Sequence, residues 1–179
     1  MEDKELLVKI RNPETRSYGF NLLVREYQKR IYWHVRKMVI DHDDADDITQ
    51  DVFIKIHKSI DNFREDAQLY TWIYRIATNE CLTFLQRKKR RFFLPIGDVE
   101  GELTAKLTSS PHISGDEIQL KLQMALLKLP DKQRLVFNMK YFDDLPYEQI
   151  ARITDTSVGA LKASYHHAVK KIESFLTDN

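Results

Sequence analysis

A chain of 179 residues, 42% hydrophobic and 31% charged, has the composition of a globular protein with one mid-sized core or two small ones, not that of a disordered tail. The single cysteine, Cys81, excludes an internal disulfide or a cysteine-clustered zinc site and fits a reducing cytoplasm. No charged-then-apolar leader opens the chain, and no apolar run approaches the roughly 18 residues of a spanning helix, so no membrane insertion is expected. The net charge of +1 conceals an asymmetry. Acidic residues crowd positions 41–51, whereas Arg87, Lys88, Lys89, Arg90 and Arg91 form an unbroken basic run. Phosphate binding depends on such local patches, not on the total.

With only 5 Gly and 5 Pro, the chain favours long helices. The first expected helix covers residues 21–40, with Leu22, Leu23, Tyr27, Ile31, Val35 and Val39 near three- and four-residue spacing. A second starts after Asp43 or Asp44, whose carboxylates can cap free N–H groups, and buries Ile48, Val52, Ile56, Ile60 and Phe63. On its other side Asp47, Gln50, Asp51 and Ile54 recur at helical spacing. With an exposed Phe53 this makes an acidic stripe suited to a basic partner helix, the plainer reading being a solvated face. A calcium loop fails on spacing: counted from Asp41, Asp46 stands where glycine is needed.

The third helix, residues 69–89, turns Leu69, Trp72, Ile73, Ile76, Ala77 and Leu85 inward. Tyr70, Thr71, Tyr74, Arg75, Thr78 and Asn79 fall on or near its polar side, with the basic run, including Arg87 and Lys88, at its end. Aromatics interleaved with arginine and amides suit single-stranded nucleic acid, although Tyr70 and Tyr74 could equally close the rim of the core. Periodicity then fades, and residues 92–115, rich in Gly, Pro and Ser, read as an extended, mobile linker.

Ile118, Leu122, Leu126 and Leu129 restore the helical period until Pro130. Helices at 132–141, 147–154 and 158–176 follow. The last two, separated by Asp155-Thr156 with Ser157 as N-cap, make a helix-turn-helix. Val158, Leu161, Tyr165, Ala168 and Ile172 pack inward. The opposite face presents Ser157, Gly159, Ala160, Lys162, Ala163, Ser164, His166, His167 and Lys170, short and polar near the helix start, where a major groove is entered. Adjacent His166 and His167 point about 100° apart on a helix and make no metal pair.

Four segments occur in a fixed order: Asp46-Asp47-Ile48-Thr49-Gln50-Asp51-Val52-Phe53, Thr71-Trp72-Ile73-Tyr74-Arg75-Ile76-Ala77, Leu129-Pro130, and Ser157-Val158-Gly159-Ala160-Leu161-Lys162. This ordered set resembles the extracytoplasmic-function RNA polymerase sigma factors over most of the chain. The resemblance implies an all-α fold of two small helical domains joined by a flexible linker. Residues 1–91 form a three- to four-helix region 2-like domain, 92–115 the linker, and 116–179 a region 4-like helix-turn-helix domain. It also implies that Asp47, Gln50, Asp51 and Phe53 face the clamp helices of core RNA polymerase. The loop from Phe63 and Arg64 to Leu69 would receive a flipped minus-ten base, Tyr74, Arg75 and Asn79 would track that strand, and the recognition helix would read the minus-thirty-five element. The family often carries arginine at the positions of Ser164 and His167. The resemblance further implies an anti-sigma factor as partner, a monomer in the cytoplasm, and no catalysis, cofactor or metal. The competing reading is a conventional helix-turn-helix regulator whose first domain binds an effector or dimerises. The acidic stripe, the aromatic and basic third helix and the linker favour the sigma reading. No nucleophile motif, phosphate loop or ligand cluster supports an enzyme.

Overall fold

The computed structural model describes residues 3–91, 96–108 and 117–177, and the regular elements among them are all helical. Ahead of the first expected helix lies a short one, α1 (Asp3–Arg11), which buries Leu6, Leu7 and Ile10 along one face. α2 (Arg16–Val39) starts earlier than its apolar stripe suggests and packs through Leu23, Tyr27, Ile31, Val35 and Val39. It ends at Ile40, which is left-handed at φ 67° and donates its N–H to the Arg36 carbonyl. A β-branched side chain is strained in that region, and its burial offsets part of the cost.

α3 (His42–Ser59) begins at once, because Asp41 is its cap in place of the expected Asp43 or Asp44. The Asp41 carboxylate accepts the Asp44 N–H at 2.9 Å. That bond, helped by Lys106, holds the Asp41 carboxyl below its ordinary range against the opposing effect of burial. Ile48, Val52 and Ile56, then Ile60 in a 3-10 turn (Ile60–Asn62) and Phe63, bury as the four-residue stripe requires. α4 (Leu69–Arg91) completes this core with Leu69, Ile73, Ala77, Cys81 and Leu85, while Trp72 and Ile76 are half-buried.

The connection between the domains differs from the aperiodic, extended chain expected. Over α5 (Ile96–Thr108) it is a helix, docked by Leu103 and Leu107, one turn apart, against Ile40 and Leu127. Lys106 adds ion pairs to Asp41 at 3.2 Å and Asp44 at 3.9 Å. Gly101 faces open space, so this glycine weakens the helical signal without serving a turn. Linker residues 92–95 and 109–116 lie outside the described residues.

The second domain consists of α6 (Glu117–Leu127), α7 (Asp131–Phe137) running into a π-turn (Asn138–Phe142), α8 (Tyr147–Thr154) and α9 (Val158–Thr177). Ala125, Leu126, Leu129, Phe137, Ala168 and Ile172 form its own small core. Ile118, expected inward, is 78% exposed at the first turn of α6. The all-helical, two-domain layout is the expected one, but the domains do not stand apart. Leu135, Val136, Met139, Leu145, Ile150, Ile153 and Leu161 join the core of the first domain in one apolar cluster.

Candidate nucleic-acid interface

α8 and α9 form the helix-turn-helix. Asp155 ends α8 in the left-handed region at φ 53°, and the Ser157 hydroxyl accepts the Ala160 N–H at 3.2 Å, capping α9 as expected. Leu161, Ala168 and Ile172 bury, so the other side of the helix is fixed outward. Ser157, Gly159, Ala160, Lys162, Ala163, His166, His167 and Lys170 are exposed and Ser164 is half-buried. Gly159 has nothing near the position a side chain would take, which leaves its backbone open to close approach. Lys162 lies over the Tyr147 ring at 5.8 Å from its centroid and keeps its ammonium at the surface. The described residues hold no group of three or more side chains able to bind a metal ion.

The outward side of α4 is more deeply set than its sequence suggests. Arg75, Asn79 and Arg87 are exposed, whereas Thr71, Tyr74 and Thr78 are buried. Tyr74 lies against Tyr70 with ring centroids 4.1 Å apart and the rings tilted by 30°, and 5.0 Å from the His34 ring. Burial pushes its hydroxyl well above the usual tyrosine range. In the preceding loop Phe63 is buried against Trp72, with centroids 5.1 Å apart, and Arg64 is exposed. The basic run is partly used within the protein. Lys88 lies 3.6 Å from Asp44 and over the Phe84 ring, and Lys89 meets Asp131 at 2.6 Å.

On α3 the acidic stripe is present: Asp47, Gln50 and Asp51 are exposed on one side. Phe53 does not stand beside them as an exposed anchor. It is 9% exposed and packs into the core, because it follows Thr49 by one turn on the buried edge of the helix. The exposed apolar residue on the stripe is Ile54, at 49%. Next to the stripe runs a groove of about 720 Å³ between α2 and α3, whose α2 wall is Arg25, Lys29, Tyr32, Trp33 and Arg36. Sequence reading missed this wall. Its signal was the recurrence of Arg25, Lys29, Trp33 and Arg36 at three- and four-residue steps away from the core stripe. At the groove the Tyr32 hydroxyl and His42 Nδ1 share a 2.7 Å hydrogen bond.

A four-helix bundle, a docked connector and a helix-turn-helix make a two-domain, all-helical protein, and comparison with known proteins places it among the sigma factors. Residues 23–91 match sigma-70 region 2 and residues 119–172 match sigma-70 region 4. The chain is 31% identical to the RNA polymerase sigma-H factor of Pseudomonas aeruginosa, over 98% of this chain and 94% of that one. It is 32% identical to the ECF RNA polymerase sigma factor SigW of Bacillus subtilis, over 89% of this chain and 90% of that one. Among solved structures it is similar to the sigma factor RpoE in complex with the anti-sigma factor NepR from Bartonella quintana, with TM-score 0.67 and 20% identity over 88% of this chain and 96% of that one. It is also similar to CnrH in complex with the cytosolic domain of CnrY, with TM-score 0.69 and 21% identity over 99% and 98%. The chain belongs to the extracytoplasmic-function RNA polymerase sigma factors, non-enzymatic transcription initiation factors that direct core polymerase to promoters.

Proposed function

We propose that the three surfaces divide the work of promoter recognition. α3 docks the chain on core RNA polymerase through Asp47, Gln50 and Asp51, with Ile54 as the apolar contact beside them. α4 and the loop before it take the non-template strand of the minus-ten element through Arg64, Arg75, Asn79, Arg87 and Lys88, while Phe63 and Tyr74, expected to touch that strand, are buried and support the surface from beneath. The start of α9 reads the minus-thirty-five element through Ser157 to Ser164, with His166, His167 and Lys170 toward the phosphates. The observation that carries this reading is the face of α9. Its buried side is fixed by Leu161, Ala168 and Ile172, and what remains outward begins with small residues and one lysine.

The same reading makes the protein a cytoplasmic monomer when free, since polymerase and promoter are there. No helix among the described residues is long and apolar enough to cross a membrane. An anti-sigma factor is the natural negative partner, by analogy with the NepR complex of RpoE. The test is capture of core polymerase by the full chain, followed by initiation on a promoter library. Charge reversal at Asp47 and Asp51 should weaken capture and leave the helical content intact, because exposed charges add little to stability. Unchanged capture by the doubly reversed variant contradicts the docking assignment.

A further inference from the structure

Two arginines at the first corner of the chain reach across to the loop between α3 and α4. Arg11, the last residue of α1, donates from Nη2 to the Phe63 carbonyl at 2.7 Å and from Nη1 to the Glu65 carboxylate. It ties the residues on either side of Arg64, whose own side chain is exposed. Arg16, the first residue of α2, grips Asp61 through two guanidinium nitrogens, each 2.9 Å from a different carboxylate oxygen, and also reaches the His57 carbonyl at 3.4 Å. Such a two-point arginine–carboxylate pair fixes orientation as well as distance.

The loop has little else to define its shape. Residues 64–67 share no hydrogen bond with another backbone group among the described residues. Glu65 sits in the left-handed region at φ 60°, which is costly for a residue with a side chain and persists where the surroundings hold it. From inside, the buried Phe63 ring is the anchor; from outside, the anchors are Arg11 and Arg16. Their corner is itself firmly seated. Leu6, Leu7 and Ile10 bury α1 in the core, and the Thr15 hydroxyl donates to the Lys9 carbonyl. Exposed ion pairs add little to stability, so two arginines converging on one short loop are better suited to setting its shape than to holding the fold. That shape matters because the loop borders a cavity of about 410 Å³, walled by Asp66, Ala67, Thr71, Trp72, Arg75 and, from α8, Arg152.

Granting the role proposed above for α4 and the loop before it, we propose that the corner between α1 and α2 is a positioning element of minus-ten recognition. Arg11 and Arg16 act through the loop. They hold its backbone from Asp61 to Glu65 so that Arg64 and the wall formed by Asp66 and Ala67 meet the strand in one geometry. Base preference at the minus-ten element is then set in part by residues 45 to 54 positions earlier in the chain.

The test uses the full chain with core polymerase on a library randomised across the minus-ten element. The variants are Arg11→Gln, Arg16→Asp, Asp61→Arg and the double variant carrying Arg16→Asp with Asp61→Arg. Each single variant should flatten the preference for the best minus-ten sequence over the next by at least about fivefold, the lower end of what one well-placed base contact discriminates. Preference across the minus-thirty-five element and capture of polymerase should not change. The double variant restores opposite charges and should recover the wild-type preference, which a direct contact of Arg16 with DNA would not allow. Tryptic cleavage after Arg64, located by mass, reads the bracing without DNA and should be about tenfold faster in Arg11→Gln and Arg16→Asp than in wild type. Output lowered equally at every minus-ten sequence, or a preference that the double variant does not recover, overturns the positioning role. Unchanged cleavage after Arg64 overturns the bracing. Arg64→Ala and Arg75→Ala probe the underlying reading separately: if both keep the wild-type minus-ten preference, that reading fails and the positioning role with it, while cleavage after Arg64 still decides the bracing.

Discussion

Gly19 of α2 lies against Ile10 of α1 so closely that a side-chain carbon on Gly19 would stand 2.9 Å from the Ile10 backbone nitrogen. The obstructing atoms are main chain and the Lys9 Cβ, so a flexible side chain cannot simply move aside. Thr15 supports the same approach, with its hydroxyl donating to the Lys9 carbonyl at 2.8 Å. Gly19→Ala should therefore destabilise the first domain by about 1–3 kcal/mol, the usual cost of overpacking, despite alanine's better helix propensity. Chemical denaturation checks this, and a stabilised Gly19→Ala would mean that α1 is not docked as described.

That contact was not legible in the sequence, for a physical reason. α1 has nine residues, too few for its period to stand out, and a glycine's neighbour cannot be read from its own position. The long stripes were legible: Ile48 to Phe63 and the helix-turn-helix with its Ser157 cap lie where their spacing puts them. The burial of Thr71, Tyr74 and Thr78 was not, since on α4 alone they occupy the polar side. Thr78 is covered at the joint with the second domain, and Lys37 finds Asp143 across 106 positions of chain. A narrow four-residue stripe puts Phe53 outward, whereas α3 buries Thr49 and Phe53 as a second row beside Val52 and Ile56. In α5, Leu103 and Leu107 carried a helical signal that Gly97 and Gly101 diluted.

Docking of α5 should depend on those two leucines. Leu103→Ala with Leu107→Ala removes the apolar contact to Ile40 and Leu127 and leaves Lys106 with its aspartates. Limited proteolysis should then cut within residues 96–108 at least about tenfold faster than in wild type, because local opening governs cleavage. Equal cutting rates would mean that α5 is held by something other than these side chains.

Acid should loosen the joint between the domains. Burial works against ionisation of Asp143, yet His34 and Lys37 hold its carboxyl below the ordinary value of 3.8. A lowered value in the closed form means that its contribution is complete above the ordinary carboxylate range and is lost as pH falls through the lowered one. Around Asp143 stand His34 and Lys37 of α2 and Tyr70 and Tyr74 of α4, of which the tyrosines stay neutral throughout. Scattering followed from neutrality to well below the ordinary carboxylate value should show expansion at the acid end, with Asp143→Asn expanded already near neutrality. Matching acid profiles for wild type and Asp143→Asn would place the titration elsewhere.

Cys81 should behave as a core residue and not as a redox sensor. It is fully buried on α4, and burial pushes its thiol up to about 12. Alkylation of the native protein at neutral pH should be slower than that of the unfolded chain by about a hundredfold or more, limited by opening of the domain. Rapid labelling would contradict the packing of α4.

The central claim is that the start of α9 reads promoter sequence, and transcription with core polymerase on a library randomised across the minus-thirty-five element tests it most directly. Lys162 lies in the first turns of the recognition helix and Lys170 two turns further on, both exposed. A contact to base edges carries sequence information, whereas a phosphate contact acts almost uniformly. Lys162→Ala should therefore change which minus-thirty-five sequences are used, at a cost of roughly 1–3 kcal/mol on the best site. Lys170→Ala should lower use of all of them about equally. If both variants keep the wild-type preference and the wild-type output, α9 does not read the promoter.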